Sequence, residues 1–152
     1  MGIFKHESLG KYLSISSRAL NSYLDRKLEK HDIARGQFPY LIALYHKEGV
    51  SQQDLCDFYN FDKAAAVRAI KTLEEKGFVK KEIDLEDRRQ YKIFLTEKGK
   101  EFKSIFLDIL RSSEELMKSG LSEKDINDLI KNLKIIIRNL GKNLPDTLGV
   151  DL

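Results

Sequence analysis

Two adjacent arginines, Arg88 and Arg89, stand between two short alternating runs, Phe78 to Ile83 and Gln90 to Leu95. Strands joined by an arginine-bearing tip make a ribbon narrow enough to enter a nucleic-acid groove. An arginine there can reach the minor groove, where the potential is most negative over narrow A·T stretches. Asp87 precedes the pair and can hold one guanidinium bidentately, aiming the other. Because Asp84, Glu86 and Asp87 all surround the arginines, a solvated hairpin with cancelling charges is the competing reading.

A second cationic group lies just upstream. Lys63-Ala64-Ala65-Ala66-Val67-Arg68, followed by Lys71, has helical spacing. Its alanines allow the backbone close to a major groove and can touch thymine methyls, while Lys63, Arg68 and Lys71 can read base edges or clamp phosphates. The alternative is an amphipathic helix with a solvated cationic face. Ser51, Gln52 and Gln53 open another short helix whose first N–H groups and side chains can meet a phosphate, although a plain N-cap explains the serine equally well.

Other chemistry finds little support. His6, His31 and His46 are isolated, with no H-E-x-x-H pattern, cysteine pair or carboxylate at metal-ligand spacing. The nine glycines are scattered, so there is no phosphate loop. No metal, cofactor or enzymatic activity is expected. Cys56, the single cysteine, excludes an internal disulfide and fits a reducing compartment. It falls on the buried side of its helix without a basic neighbour to activate it, so it reads as a core thiol.

The elements that must position these groups follow from periodicity and capping. Leu9, Tyr12, Leu13, Leu20, Tyr23, Leu24 and Leu28 predict a first helix within Ser8–Lys30, broken by Asp32 to Gly36. Pro39 opens a second helix that ends at Gly49. Ser51 with Asp54 predicts a capped third helix through Tyr59, and Asn60 and Phe61 a brief connection. Asp62 caps a fourth helix that Gly77 ends, with Val67, Ile70 and Leu73 inward and Lys63, Arg68 and Lys71 outward. In the second strand Tyr91, Ile93 and Leu95 share a face. Thr96 caps a fifth helix with a stripe of Phe102, Ile105, Phe106, Ile109, Leu110, Leu116 and Met117, which Gly120 breaks. Ser122 with Asp125 opens a last helix with the strongest stripe, from Ile126 to Leu140. The tail after Gly141 is expected to be irregular, with Leu144, Leu148, Val150 and Leu152 available to dock.

This order predicts a mainly α fold with a small β-hairpin wing: a winged helix-turn-helix flanked by N- and C-terminal dimerisation helices. Residues 1–34 and 97–152 would form the helical dimerisation region and 35–96 the winged unit, in one continuous structure. A compact winged domain does not need so much flanking helix, so the ends are expected to pair with a second copy. A two-fold dimer would set two recognition helices roughly 34 Å apart, which suits a near-palindromic duplex. At 152 residues, 41% hydrophobic and 34% charged, with a net charge of +3, the chain has enough apolar content for one packed core. No apolar run nears the roughly 18 residues of a membrane span, and Met1 to Glu7 lack the apolar core of a signal peptide. A cytoplasmic, membrane-free protein is expected.

From Gly49 to Gly99 the chain resembles the winged helix-turn-helix of the MarR (multiple antibiotic resistance regulator) family. The resemblance rests on Val50-Ser51-Gln52-Gln53-Asp54-Leu55, Asp62-Lys63, Leu73-Glu74-Glu75-Lys76-Gly77-Phe78-Val79, Asp87-Arg88-Arg89 and Leu95-Thr96-Glu97-Lys98-Gly99. It implies a homodimer, joined through its terminal helices, that binds operator DNA as a repressor by occlusion, although activation uses the same binding chemistry. It also implies that a small phenolic or anionic ligand, such as a salicylate-like acid, loosens the complex. At Ala64 and Ala65 the chain departs from the Ser or Thr that such regulators more often carry, which alters the expected base-reading pattern. The ligand pocket implied by the resemblance is bordered here by Gly10 to Ser14 and Arg35 to Tyr40. Lys11, Ser14, Arg35, Gly36 and Gln37 would supply polar groups, with Lys11 and Arg35 on a carboxylate. Phe38 and Tyr40 would sandwich a ring, or else belong to the core. Two other readings remain open: a winged-helix protein-interaction module, and a small-molecule sensor without DNA binding.

Overall fold

The computed structural model describes residues 7–59, 62–142 and 144. The connection expected at Asn60 and Phe61, the N-terminal Met1 to His6, and Leu148, Val150 and Leu152 of the tail lie outside the described residues. Leu144 is half-buried. Helix α1 spans Leu9–Leu28 and leads through a 3-10 turn, Glu29–His31, to Asp32 in the left-handed region at φ 61°. Helix α2 spans Phe38–His46, so it starts one residue ahead of Pro39 and stops short of Gly49. Its end is set by Lys47, which is already extended, and by the Gly49 N–H, which donates to Ile93 O at 2.8 Å.

That bond opens a strand that periodicity did not reveal, β1 at Val50–Ser51. Two residues are too few to show an alternation, so only pairing identifies it. With β2 (Val79–Ile83) and β3 (Tyr91–Leu95) it makes an antiparallel sheet of order β1-β3-β2. The register sets Val50 opposite Ile93, Val79 opposite Leu95 and Ile83 opposite Tyr91. Ile93 and Leu95 are buried, whereas Tyr91, on the same face, is exposed because it lies towards the tip, beyond the helices.

Between the strands lie α3 (Gln52–Tyr59) and α4 (Lys63–Glu75). The expected caps form. Ser51 Oγ accepts from the Asp54 N–H while Asp54 Oδ2 accepts from the Ser51 N–H, and Asp62 Oδ2 accepts from the Ala65 N–H at 2.8 Å. Asp62→Ala removes that cap and is expected to cost about 1 kcal/mol, lowering the melting temperature by about 2–4 °C in a thermal melt. Gly77 ends the helix at φ 80°, a conformation that costs any residue with a Cβ.

Helix α5 (Glu97–Lys118) is capped by Thr96 and buries Phe102 and Phe106 against His31, Tyr45 and Phe78, with ring centroids 5.1–5.5 Å apart. Leu28, Leu41, Leu44, Ile70 and Leu73 complete a core between α1, α2, α4 and α5. Each such side chain contributes about 1.5–3 kcal/mol over its exposed state. Helix α6 (Glu123–Asn139) opens with the expected Ser122–Asp125 capping box, yet buries no residue within the chain. Leu129, Ile130 and Leu140 of its stripe are exposed, as are Leu9, Tyr12 and Ile15 of α1 and Ile105, Leu116 and Met117 of α5. Among the described residues no helix is long and apolar enough to cross a membrane.

Candidate nucleic-acid interface

Helix α4 is fixed from its small-residue side. Ala66, Ala69, Ile70 and Leu73 are buried, and Lys63, Ala64, Val67, Arg68 and Lys71 face outward. The expectation for Val67 is corrected: it is 43% exposed. The buried positions are Ala66, Ala69, Ile70 and Leu73, which centres the inner face of the helix away from Val67. The signal for this phase in the sequence is the Ala66-Ala69-Ile70-Leu73 spacing, in which small residues count as apolar alongside bulky ones.

The C-terminal end of α4 is anchored by Lys76. Its Nζ donates to Asp32 O at 2.6 Å and to Gln37 Oε1 at 3.1 Å, and lies 3.2 Å from Asp32 Oδ1. Lys98 Nζ donates in turn to Lys76 O at 2.6 Å. The outward helix is thereby tied both to the α1–α2 connection and to α5. Nothing in local sequence marks Lys76 for this role, because its partners lie 39 and 44 residues away.

The wing begins and ends in a tight set of bonds. Asp84 N–H donates to Gln90 O, Gln90 N–H to Asp87 O, and Lys92 Nζ lies 3.6 Å from Asp84 Oδ1. Asp87 does not form the expected two-nitrogen fork. Its Oδ1 accepts from the backbone N–H and from Nε of Arg89, both at 3.1 Å, and its Oδ2 accepts from Gln90 Nε2. These Arg89 bonds hold the Asp87 carboxyl below the usual carboxylate range. The Arg89 side chain is still 90% exposed, so Asp87 orients Arg89 itself and leaves its terminal nitrogens facing solvent. Arg88 is exposed and pairs with no carboxylate among the described residues.

Wing and helices then converge. Ser51, Gln52, Gln53, Lys63 and Arg89 line one open cleft of about 390 Å³. Gln53 Nε2 donates to Asp57 Oδ1 at 2.8 Å. Arg68 and Ala65 lie on the other flank of α4, in a shallower groove with Gly36 and Gln37. Lys71 lies 3.9 Å from Glu75, with both side chains largely exposed, a pair too weak to withhold the lysine. Ala64 is exposed between these cations. Cys56 is buried at the floor of the cleft, where burial and then the Asp57 charge push its thiol pKa up. A thiol so placed stays protonated and unreactive. No group of three or more metal-ligating side chains occurs among the described residues.

A sequence model of the MarR family matches residues 33–91, which takes in α2, α3, α4, β2 and both wing arginines. An HTH-type transcriptional regulator of Bacillus subtilis, YybA, is 30% identical over 86% of this chain and 87% of its own length. The chain belongs to the MarR family. A MarR transcriptional regulator from Methanosarcina mazei is 34% identical, with a TM-score of 0.79 over 86% of this chain and 94% of that one. A MarR family regulator from Listeria monocytogenes, solved in complex with a 26-mer DNA, is 26% identical with a TM-score of 0.81, covering 93% of this chain and 99% of that one. These relatives are transcriptional regulators, not enzymes.

The MarR resemblance also implied a ligand cleft, and here the structure departs from the expected residues. Phe38 and Tyr40 are buried in the core, so neither offers a free face to a ring. Burial also raises the Tyr40 phenol pKa. Arg35 is engaged by Asp25 through Nε and Nη2. Lys11 lies on the first turn of α1, about 21 Å along the helix from Asp25, so Lys11 and Arg35 of one chain cannot clamp the same carboxylate. Ser14 is exposed on α1, and Gln37 Oε1 is occupied by Lys76 and the Ala34 N–H.

Proposed function

We propose that this MarR-family chain is a cytoplasmic homodimeric repressor that binds near-palindromic duplex DNA. The observation that carries the reading is the meeting of Lys63, Arg89 and the α3 N-terminus in one open cleft, beside the outward face of α4. In this reading α4 enters the major groove and the wing the adjacent minor groove, while Gln52, Gln53 and the first N–H groups of α3 meet a phosphate. The 26-mer DNA held by the Listeria relative supports it. Repression follows by occlusion of the promoter. The test is selection of bound duplexes from random DNA. An inverted repeat with half-sites about one turn apart is expected, and affinity should fall with log salt at a slope of roughly 0.9 per phosphate contact. A protein with no duplex preference would instead be an interaction module.

The dimer is supported by the exposed apolar residues of α1, α5 and α6, since side chains such as Leu129 and Ile130 on an amphipathic helix gain stability when a partner covers them. Leu129→Glu with Ile130→Glu is expected to give a monomer in sedimentation and to weaken operator binding by more than tenfold, because one half-site then binds alone. The terminal helices, 1–34 and 97–152, thus serve dimerisation and 35–96 DNA binding. Loosening by a small aromatic acid requires a cleft completed by the partner subunit, because Phe38 and Tyr40 are covered within one chain. Calorimetric titration with salicylate tests this part: no heat and unchanged DNA affinity would remove it.

A further inference from the structure

We infer that Val67, with Ala64, is a specificity-determining contact that reads the 5-methyl group of a pyrimidine in the major groove. The inference rests on the DNA-binding reading above. Buried Ala66, Ala69, Ile70 and Leu73 define the inner side of α4, and successive residues turn by about 100° around its axis. The outermost strip is therefore Ala64, Val67, Arg68 and Lys71. It holds two cations and two aliphatic side chains, and no serine, threonine, asparagine or glutamine. The helix's one hydroxyl, Thr72, is turned back to donate to Arg68 O at 3.0 Å. Neutral hydrogen-bond readout of bases is thus absent from this strip.

Two means of discrimination remain. Arg68 can take the O6 and N7 acceptors of a guanine, and the aliphatic pair can take a methyl. Val67 is the informative member, because it is a β-branched apolar side chain left 43% exposed while the inner side of the helix is made by Ala66, Ala69, Ile70 and Leu73. Side chains three apart on a helix stand about 5–6 Å from each other, against a rise of about 3.4 Å per base. Ala64 and Val67 therefore reach base pairs about one to two steps apart, and a thymine methyl at one of them would lie against the valine. A cytosine at that position lacks the methyl and presents a donor to an aliphatic surface, whereas 5-methylcytosine restores the methyl.

The experiment uses the full-length protein and the duplex recovered by selection. Each thymine in a half-site is replaced singly by uracil, which removes only the methyl, and affinities are measured at fixed salt. The expected result is a loss of about fourfold at one or two positions, the ratio for roughly one buried CH₂-sized group. Val67→Ala, which keeps the helix intact because alanine is the best helix former, should reduce that loss to less than twofold at the valine position. Replacing that thymine by 5-methylcytosine should bind better than replacing it by cytosine. Uracil duplexes that bind as well as thymine duplexes at every position would overturn the inference while leaving DNA binding intact. A uracil effect of equal size in Val67→Ala would equally overturn it. Failure to recover any bound duplex would instead sink the DNA-binding reading itself.

Discussion

Arg89→Ala is expected to weaken operator binding at least tenfold at fixed salt, the larger effect of the two wing arginines. Arg89 is presented by the protein: Asp87 fixes its backbone N–H and its Nε, while the side chain remains 90% exposed. A guanidinium held in this way loses less rotamer freedom on entering a groove than one that starts free. Arg88 has no such tether among the described residues, so Arg88→Ala should cost less and act mainly through the salt slope. Fluorescence anisotropy with the wild type and both variants at two salt concentrations checks the order. Unchanged affinity of Arg89→Ala would sink the assignment of the wing to DNA. The Asp87 tether requires the carboxylate, and the bonds from Arg89 hold its pKa below the usual carboxylate range. A depressed carboxyl pKa makes the tether fully present above the ordinary value and lost only as pH falls through the lowered one. Between pH 6 and 8, titration of Asp87 should therefore leave the wing and its affinity unchanged.

Gly99→Ala is expected to be the most destabilising single substitution in the hinge between wing and α5. A Cβ there would stand 2.2 Å from Phe78 O and 3.2 Å from Phe78 C. Neither side can give way cheaply. Phe78 O accepts from the Thr96 N–H at 3.1 Å, Gly99 N–H donates to Thr96 Oγ1, and Gly99 O accepts from the Tyr45 hydroxyl at 2.8 Å. Burial raises the Tyr45 phenol pKa, so that donor keeps its proton. Relieving the overlap means breaking one of these bonds, at about 3 kcal/mol, the upper end of ordinary overpacking. Thermal unfolding should show a melting temperature lower by about 6–12 °C. A wild-type melting temperature would show that the start of α5 can slide, and that its packing on Phe78 is looser than these distances imply.

Much of the fold was legible in local sequence, for reasons that are themselves local. The caps at Ser51, Asp62, Thr96 and Ser122 each need only a side chain and an N–H three residues ahead, so spacing alone located four helix starts. Gly77 could be read because a left-handed helix end favours glycine. The wing arginines were legible for the same reason, standing beside a turn-forming aspartate. Other features depended on partners distant in the chain. Strand β1 exists only through Ile93 and Lys92. The phase of α4 was set by which residues the core buries, Ala66, Ala69, Ile70 and Leu73, and so Val67 emerged outside rather than inside. The ring-binding expectation met a competing demand of the same kind: Phe38 and Tyr40 have the right chemistry for a ring, but both are buried within one chain.

By itself, then, the sequence determined the order of the six helices and the two wing strands, the caps and the cationic residue types, because these depend on backbone hydrogen bonding and periodicity within a few residues. The tertiary structure decided which of those residues act together. It brought Lys63, Arg89 and the start of α3 into one cleft, tied Lys76 to Asp32 and Gln37, and left Leu129, Ile130 and Leu140 of the α6 stripe exposed. The physical reason is that burial and long-range pairing belong to the packed whole: a side chain's surroundings are fixed only when elements far apart in sequence meet.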